Sequence, residues 1–231
     1  MKSNMMIRLI AFDLDGTIGN TVPMCIQACK KAVEPYIMRE LSDAEVEQTF
    51  GLNEEGMIKQ LVGSKSWESA LKDFYAIYSK IHEICPQPFS GIRDLIEDLK
   101  SKAIFIALIT GKGERSCDIT LRKFGMENCF DQILTGNPQR NTKSEAIRHL
   151  LYKYKLQPCE MLYIGDAVSD ISACVKNSVC CLSAAWATSD KIAVGLEERN
   201  PNRVFYSIQS LKEFLSDYLR ESNTQKDETI F

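Results

Sequence analysis

Residues Ile7 to Thr17 read I-R-L-I-A-F-D-L-D-G-T, an apolar run that ends in two carboxylates two residues apart, followed by Gly and Thr. An apolar run of this length ahead of a polar turn is typical of a buried parallel strand, and open α/β sheets bind ligands at the carboxyl ends of such strands. A turn that begins at Asp15 and Gly16 would swing the second carboxylate back toward Asp13. The sequence therefore predicts two clustered anions that need a cation, and it points to phosphoryl chemistry.

The pattern D-x-D-G also occurs in calcium-binding EF-hand loops, in which glycine occupies the sixth position. With Gly16 at that position, the first and twelfth positions fall on Ala11 and Val22. Neither side chain can supply a carboxylate, so this alternative is excluded. An ordinary acidic turn is the other simple interpretation, and the rest of the chain must decide against it.

The composition is that of a globular protein. The chain has 231 residues, of which 45% are hydrophobic, enough for one sizeable core or for a core with a smaller module. Its 28 Lys and Arg residues against 31 Asp and Glu leave no broad basic field for nucleic acid or an anionic membrane. Because no apolar run is long enough to span a membrane and Met1 to Met6 lacks the apolar core of a signal peptide, we expect a cytoplasmic protein. The sequence does not indicate its oligomeric state.

The nine cysteines are scattered along the chain without the paired C-x-x-C spacing of a zinc site. Cys25 and Cys29 can share one helix face, where a two-ligand metal site is conceivable, but core packing is favoured. We interpret the cysteines as small core residues in a reducing compartment.

The segment after the first motif is predicted to be helical, because its apolar residues recur at steps of three and four. The predicted helices span 22–36, 42–50, 53–62 and 67–84, with Ser42 and Glu45 forming a capping box. No convincing strand interrupts them. Pro86 and Pro88 then end the helical segment and mark a candidate domain boundary.

Beyond this boundary strand-like and helix-like segments alternate, which indicates a parallel sheet with helices on both faces. The predicted strands span 104–109, 132–134, 161–164, 179–182 and 204–206, and the predicted helices span 92–101, 114–124, 144–155, 170–176 and 210–219. Three of the most apolar runs end directly in a polar group, at Asp13, Thr110 and Asp166. If these strands are parallel, the three groups lie along one edge of the sheet, where a ligand is expected.

These groups, together with Lys143 and the segment G-D-A-V-S-D from Gly165 to Asp170, resemble in order the motifs of the haloacid dehalogenase-like (HAD) phosphohydrolases. The resemblance covers nearly the whole chain and is strongest to the phosphoglycolate phosphatase and β-phosphoglucomutase branch. It implies an α/β fold, a three-layer Rossmann-like core with a parallel sheet formed by residues 1–18 and 86–231. It also implies an inserted α-helical cap domain formed by residues 19–85.

The resemblance implies a role for each acidic residue of the motifs. Asp13 would attack phosphorus, and Asp15 would protonate the leaving group and later deprotonate the attacking water. Mg²⁺ would be bound by Asp13, the backbone carbonyl of Asp15 and Asp166. Asp170 would reach the metal through water or orient Lys143, or else it is only a charge at a helix N-terminus.

The remaining predicted site residues would bind phosphate or substrate. Thr110 would donate its hydroxyl, with the Gly111 amide, to the phosphoryl oxygens, and Lys143 would bring positive charge to the same oxygens. Thr17 and Lys112 are predicted to contact substrate. The family often has its lysine in a K-P-x-P stretch, whereas this chain has N-T-K-S-E-A around Lys143.

Other basic residues near these motifs are alternatives for the same roles. Arg140 is an alternative to Lys143, and Arg115, like Lys112, would serve a substrate carboxylate or phosphate. All three are more often solvated surface charges.

The sequence thus predicts a Mg²⁺-dependent phosphatase that hydrolyses a small phosphorylated metabolite, phosphoglycolate-like or a sugar phosphate, through an aspartyl phosphate. Two alternatives stay open. A sugar phosphomutase of the same branch would need the cap to keep water from the intermediate, and a non-catalytic phospho-acceptor module would not need the leaving-group acid at Asp15.

Overall fold

A computed structural model describes the chain from residue 6 to residue 224, apart from the side chains of residues 190, 191 and 221 to 224. Over these residues, six strands form one parallel sheet in the order β3-β2-β1-β4-β5-β6. The strands are β1 (Leu9–Phe12), β2 (Phe105–Ile109), β3 (Gln132–Leu134), β4 (Met161–Gly165), β5 (Cys180–Ala184) and β6 (Val204–Phe205).

Ten α-helices surround or extend this sheet in the described part of the chain. They are α1 (Val22–Ile37), α2 (Asp43–Glu47), α3 (Glu54–Val62), α4 (Trp67–Ile81), α5 (Ile92–Ser101), α6 (Glu114–Phe124), α7 (Lys143–Lys153), α8 (Val168–Val175), α9 (Asp190–Arg199) and α10 (Ile208–Thr224). Short 3-10 helices occupy His82–Ile84 and Pro158–Glu160.

Strand β1 lies at the centre of the sheet, and its position aligns the polar ends of its neighbours. Phe12 is level with Leu108 of β2 and Ile164 of β4, and the N–H of Asp13 donates to the Ile164 carbonyl at 2.8 Å. Because the strands are parallel, the residues that follow them meet at one edge of the sheet. The register thus brings the first carboxylate directly beside the end of β4.

The alternation of side chains along β1 divides the core into two layers. Ile10 and Phe12 belong to an apolar cluster that also contains residues of α5, α6 and α10, whereas Leu9 and Ala11 belong to a second cluster with residues of α7, α8 and α9. Both faces are covered by helices, which explains why this strand is apolar throughout. The predicted three-layer α/β fold is confirmed.

The helices α1 to α4 lie between β1 and α5, and in the described residues they contribute no strand to the sheet. The chain enters and leaves this helical insertion side by side, because the N–H of Phe89 donates to the Ile18 carbonyl at 2.8 Å. The predicted cap boundaries at 18/19 and 85/86 stay a prediction. Residues 1–5 and 225–231, assigned to the core, lie outside the described residues.

The insertion packs against α6 through a buried polar and aromatic contact. The hydroxyls of Tyr78 and Thr120 are 2.8 Å apart, and His82 Nε2 lies 3.3 Å from the same Thr120 oxygen. The His82 ring also meets the Phe124 ring edge-on. The apolar cluster beneath the sheet therefore continues without a break into the insertion.

Several predicted element bounds need correction. Helix α2 is Asp43–Glu47 rather than 42–50, and β5 is Cys180–Ala184 rather than 179–182, because Ser183 and Ala184 pair with β6. The Ser42–Glu45 capping box is present. Helix α9 was not predicted at all: Ile192 and Val194 are exposed, so its apolar residues do not form the single stripe by which a helix is recognised.

The cysteines lie mainly in the core. Six of the nine are buried. In the part of the chain that the structure describes, no helix has both the length and the apolar character needed to cross a membrane.

Candidate active site

The turn after β1 depends on glycine at position 16. Gly16 has a φ of +76°, in the left-handed region that residues with a Cβ avoid. A Cβ at this position would also lie only 2.0 Å from Asp166 Oδ2. Glycine at this position thus allows the backbone to turn after Asp15 and allows the Asp166 carboxylate to lie close to that turn.

Asp13 is buried and has two different carboxylate oxygens. Oδ2 accepts a hydrogen bond from the Lys143 ammonium at 2.8 Å, whereas Oδ1 is buried with no hydrogen-bond partner among the described residues. Burial raises the pKa of Asp13 to about 7, with Asp170 and Asp15 adding to the rise and Lys143 opposing it. A desolvated oxygen without a donor is costly, so this atom is suited to a bound cation or a reacting group.

Lys143 begins α7 and is held between two carboxylates. Its ammonium donates to Asp13 Oδ2 and, at 2.6 Å, to Asp170 Oδ1. Asp170 is itself fixed by the Tyr163 hydroxyl at 3.0 Å and by the Ala167 N–H at 3.0 Å. Burial opposes the charged form of Lys143, but the two carboxylates nevertheless raise its pKa. The ammonium is therefore kept charged and aimed at Asp13.

Asp15 forms a second charged group at the same edge. Its Oδ1 accepts a hydrogen bond from the Thr21 hydroxyl and lies 3.2 Å from the ammonium of Lys112. Burial opposes the charged form of Lys112, yet Asp15 and further neighbours raise its pKa well above the ordinary value. Lys112 thus pairs with a carboxylate of the protein, and its predicted contact with substrate stays a prediction.

The predicted phosphate-binding residues differ in their surroundings. Thr110 is buried, and its hydroxyl accepts from the Lys112 N–H at 3.1 Å. Gly111 lines the cavity described below, and a Cβ there would meet no atom within 4 Å. Thr17 is buried with its hydroxyl 3.5 Å from Asp166 Oδ1, and it does not line that cavity. The roles of Thr17, Thr110 and Gly111 stay predictions.

A group of three carboxylates offers a place for a metal ion. Asp13, Asp166 and Asp170 each present an oxygen within 4.8 Å of the others. Burial and the charge of Asp13 raise the pKa of Asp166 well above its ordinary value. Both oxygens of Asp170 already accept hydrogen bonds, whereas Asp13 Oδ1 has no donor in the part of the chain that the structure describes. Carboxylate oxygens are the ligands of hard divalent cations such as Mg²⁺, and Asp13 and Asp166 fit one.

These groups surround a cavity of about 160 Å³ that lies between the sheet edge and the helical insertion. From the edge, the carboxylates of Asp13, Asp15 and Asp166 and the lysines Lys112 and Lys143 line it. The insertion adds mainly apolar side chains, at Val22, Cys25, Phe50, Leu52 and Met57, and one carboxylate, at Glu54. The cavity is thus charged on one side and largely apolar on the other.

Three contacts at this site were not predicted from the sequence. They involve Glu54, Tyr163 and Thr21. Glu54 and Thr21 have the residue types of ordinary helix starts, and Tyr163 lies inside a strand, so no local pattern marks them. The alternative cations are placed elsewhere: Arg140 pairs with Glu145 at 2.9 Å on the surface, and Arg115 lies over the ring of Tyr75.

Comparison with known proteins agrees with this geometry. The family model for haloacid dehalogenase-like hydrolases matches residues 10–184. A phosphoglycolate phosphatase of Vibrio parahaemolyticus is 26% identical over 91% of this chain and 96% of that protein. A candidate phosphatase structure from Clostridium acetobutylicum superposes with a TM-score of 0.73 at 17% identity, covering 92% of this chain and 99% of that one. A candidate β-phosphoglucomutase from Thermotoga maritima superposes with a TM-score of 0.66 at 20% identity, over 93% and 99% of the two chains.

The matched region covers more than half of the chain, and the chain therefore belongs to the haloacid dehalogenase-like hydrolase family. It is an enzyme of that hydrolase class. The resemblance drawn from the sequence motifs is confirmed at the level of the family. The structural likeness, at these low identities, supports the fold alone.

Proposed function

We propose that this chain is a Mg²⁺-dependent phosphatase that hydrolyses a small phosphomonoester through an aspartyl phosphate on Asp13. The observation that carries the proposal is the asymmetry of the Asp13 carboxylate. One oxygen accepts a hydrogen bond from the Lys143 ammonium, and the other is buried beside a cavity and has no partner among the described residues. A nucleophile needs this combination of a fixed orientation and an uncommitted reacting atom.

Several groups near Asp13 are placed to stabilise the phosphoryl group that it would attack. Lys143 brings positive charge to the place where anionic phosphoryl oxygens would approach Asp13, and Asp170 with Tyr163 orients it. Such fixed charges offset the repulsion between a carboxylate and a phosphate. Thr110 and Gly111 are the proposed further donors to the phosphoryl group, and Thr17 a proposed contact near it.

Asp15 is the proposed acid and base. It lies two residues from the nucleophile and lines the cavity, with Thr21 and Lys112 holding one oxygen of its carboxylate. It would give a proton to the departing alkoxide and take one from the water that hydrolyses the aspartyl phosphate. The presence of this group favours an enzyme over a bare phospho-acceptor.

Mg²⁺ would be held by Asp13 and Asp166, with the Asp15 carbonyl as a further proposed ligand and Asp170 as a residue that orients Lys143 or reaches the ion through water. When bound, the ion supplies positive charge that shields the carboxylates and polarises the phosphoryl oxygens. The cap, residues 19–85, would close the cavity against bulk water and select the substrate.

Phosphate release from a panel of small phosphate esters, with and without Mg²⁺, tests the proposal. The native chain is compared with Asp13→Asn and Asp15→Asn, and with Asp118→Asn as a control whose carboxylate pairs with Arg122 at the surface. We expect Mg²⁺-dependent turnover in the native chain and the control, and loss in both site variants.

Undiminished turnover in Asp13→Asn would contradict the proposed nucleophile. Interconversion of sugar phosphates without net phosphate release would instead establish the phosphomutase alternative.

A further inference from the structure

A carboxylate of the helical insertion lies at the N-terminus of α6, inside the core. Glu54 is buried, its Oε2 accepts from the Gly113 N–H at 2.7 Å, and its Oε1 accepts from the Ser116 hydroxyl. The Lys112 ammonium is 3.9 Å from Oε1. All of these neighbours are donors or cations, which is the environment of a bound anion. An anion-binding site beside the cavity is thus already filled by the protein itself.

The backbone around Glu54 is fixed by a second core loop. The Asn53 N–H donates to the Asn137 carbonyl at 3.0 Å, and the Asn53 side chain donates to the Gly136 carbonyl at 3.4 Å. A Cβ at Gly56 would lie 2.2 Å from the Pro138 carbonyl oxygen, so the start of α3 sits directly against this loop. Glu54 is therefore held in place from both sides and does not depend on its own side-chain contacts alone.

The lysine nearest to Glu54 is already paired with a carboxylate of the protein. Lys112 is buried, lies 3.2 Å from Asp15 Oδ1 and stands over the Tyr78 ring at 4.6 Å from the ring centre. The other lysine that lines the cavity, Lys143, is held by Asp13 and Asp170. Among the described residues that line the cavity there is no further Lys, Arg or His.

Acidic side chains outnumber basic ones around the cavity. The carboxylates that line it are those of Asp13, Asp15, Glu54 and Asp166, against two lysines. Under the proposed function, a metal ion and the phosphoryl group would bind on the sheet-edge side. On the insertion side, a leaving group would meet apolar side chains and the Glu54 carboxylate, with no unpaired cation to bind a second anion.

We propose that Glu54 is a specificity-determining residue that makes this enzyme select phosphate esters of small neutral alcohols and discriminate against esters whose leaving group carries a carboxylate. This inference rests on the proposed phosphatase function. Under this proposal the chain differs in substrate preference from the relatives named phosphoglycolate phosphatase. Phosphoglycolate carries a carboxylate on its ester carbon, and the chain would disfavour it. Glu54 would repel that carboxylate and also occupies the donors that could bind it.

The test compares two esters of nearly the same size, phosphoglycolate and 2-hydroxyethyl phosphate, in which a hydroxymethyl group replaces the carboxylate. We expect the native chain to prefer 2-hydroxyethyl phosphate in kcat/KM by at least about tenfold, because an unpaired like charge in a closed site is strongly disfavoured. The ratio of the two kcat/KM values does not depend on the fraction of active protein, so a partly unfolded variant still reports on selection.

Glu54→Gln removes the charge and keeps an oxygen for the Gly113 N–H. We expect it to lower the preference for the neutral ester by roughly tenfold, through a gain for phosphoglycolate rather than a loss for both esters. Glu55→Gln is the matched control, because Glu55 is in the same helix turn and pairs with Lys59 away from the cavity. The control should keep the native ratio.

Two results overturn the inference while leaving the proposed function intact. One is a native preference for phosphoglycolate, and the other is an unchanged ratio in Glu54→Gln, each with Mg²⁺-dependent turnover. Failure of the proposed function looks different: the folded native chain would hydrolyse neither ester nor p-nitrophenyl phosphate in the presence of Mg²⁺.

Discussion

The sheet edge and the helical insertion line the same cavity with opposite kinds of side chain. At the edge, Asp13, Lys143 and Asp170 form a buried charged network in which each member fixes the next. The insertion adds apolar side chains and a single carboxylate, Glu54. Chemistry needs groups held within fractions of an ångström, which strand ends provide, whereas selection needs a surface that can vary without disturbing them. We expect substitutions at the sheet edge to lower turnover of every ester, and substitutions in the insertion mainly to change which ester is preferred.

The largest expected effect is that of Asp13→Asn at the sheet edge. We expect kcat/KM for any ester to fall by at least about 10⁴-fold, because a carboxamide cannot attack phosphorus and the other groups cannot replace a nucleophile. Phosphate release under Mg²⁺ measures it, with Asp118→Asn as the control. A loss of less than tenfold would contradict the proposal that the chemistry depends on the sheet edge and not on the insertion.

Asp15→Asn should have the next largest effect, and one that depends on the leaving group. We expect a loss of about 10²- to 10⁴-fold for alkyl phosphates, since their alkoxides need a proton to depart. For p-nitrophenyl phosphate the fall in the rate of phosphoryl transfer to Asp13 should be much smaller, because this leaving group departs as a stable anion. The kcat/KM values of both esters give the comparison, because they report the steps up to departure of the leaving group. Equal losses in kcat/KM would contradict the role of Asp15 as the acid.

Lys143→Met tests the charged network through stability. Removing the ammonium leaves the buried carboxylates of Asp13 and Asp170 without their cation, and we expect a loss of about 3–5 kcal/mol in the free energy of unfolding. Lys153→Met, in the last turn of the same helix, is the control and should cost far less. Urea unfolding without Mg²⁺ measures both, and equal costs would show that the network is not organised around Lys143.

The pH dependence of stability should reveal the cost of ionising the buried Asp13 carboxylate at the sheet edge. The pKa of Asp13 is raised from 3.8 to about 7, so between these values the folded chain binds a proton that the unfolded chain has lost. The contribution of Asp13 to stability is therefore complete at low pH and declines as the pH rises toward neutrality. Since Mg²⁺ binds the ionised carboxylates, it should raise Tm by more at pH 8 than at pH 5.

Thermal unfolding with and without Mg²⁺ at the two pH values checks this expectation. Asp13→Asn is the matched variant and should lose much of the Mg²⁺ dependence. A stabilisation by Mg²⁺ that is as large at pH 5 as at pH 8 would argue that the ion does not bind these carboxylates.

The smallest expected effect is that of Phe50→Ala in the insertion. Phe50 lines the cavity but is partly exposed, so truncation should change kcat/KM by less than about tenfold and mainly through KM. Kinetics on two esters of different size measures the change. A fall in kcat as large as that of Asp15→Asn would mean that the insertion takes part in the chemistry.

The two regions also differed in how much could be predicted from the sequence. Asp13 and Asp166 follow parallel strands, and the carboxyl ends of such strands must meet at one edge, so a one-dimensional pattern was sufficient. Glu54 reaches the core only because α3 is packed against the loop at Pro138, and this is tertiary packing that no local pattern encodes. In the sequence it is simply an acidic residue in the first turn of a helix.

The same distinction explains the errors in the elements. Short strands such as β3 were predicted because apolar β-forming residues lie between clear turns. Helix α9 was missed because Ile192 and Val194 face outward, and the contact of Tyr163 with Asp170 was missed because a tyrosine inside a strand has no visible partner. Burial and partner identity depend on the folded neighbours, whereas periodicity does not.

Chemical trapping of the intermediate tests the central claim most directly. Borohydride added during turnover of p-nitrophenyl phosphate under Mg²⁺ reduces an aspartyl phosphate to homoserine, which peptide mass spectrometry can locate. We predict homoserine at position 13 in the native chain and none in Asp13→Asn. Reduction at another carboxylate, or continued turnover with no trapped residue, would contradict the assignment of the nucleophile to the end of the central strand.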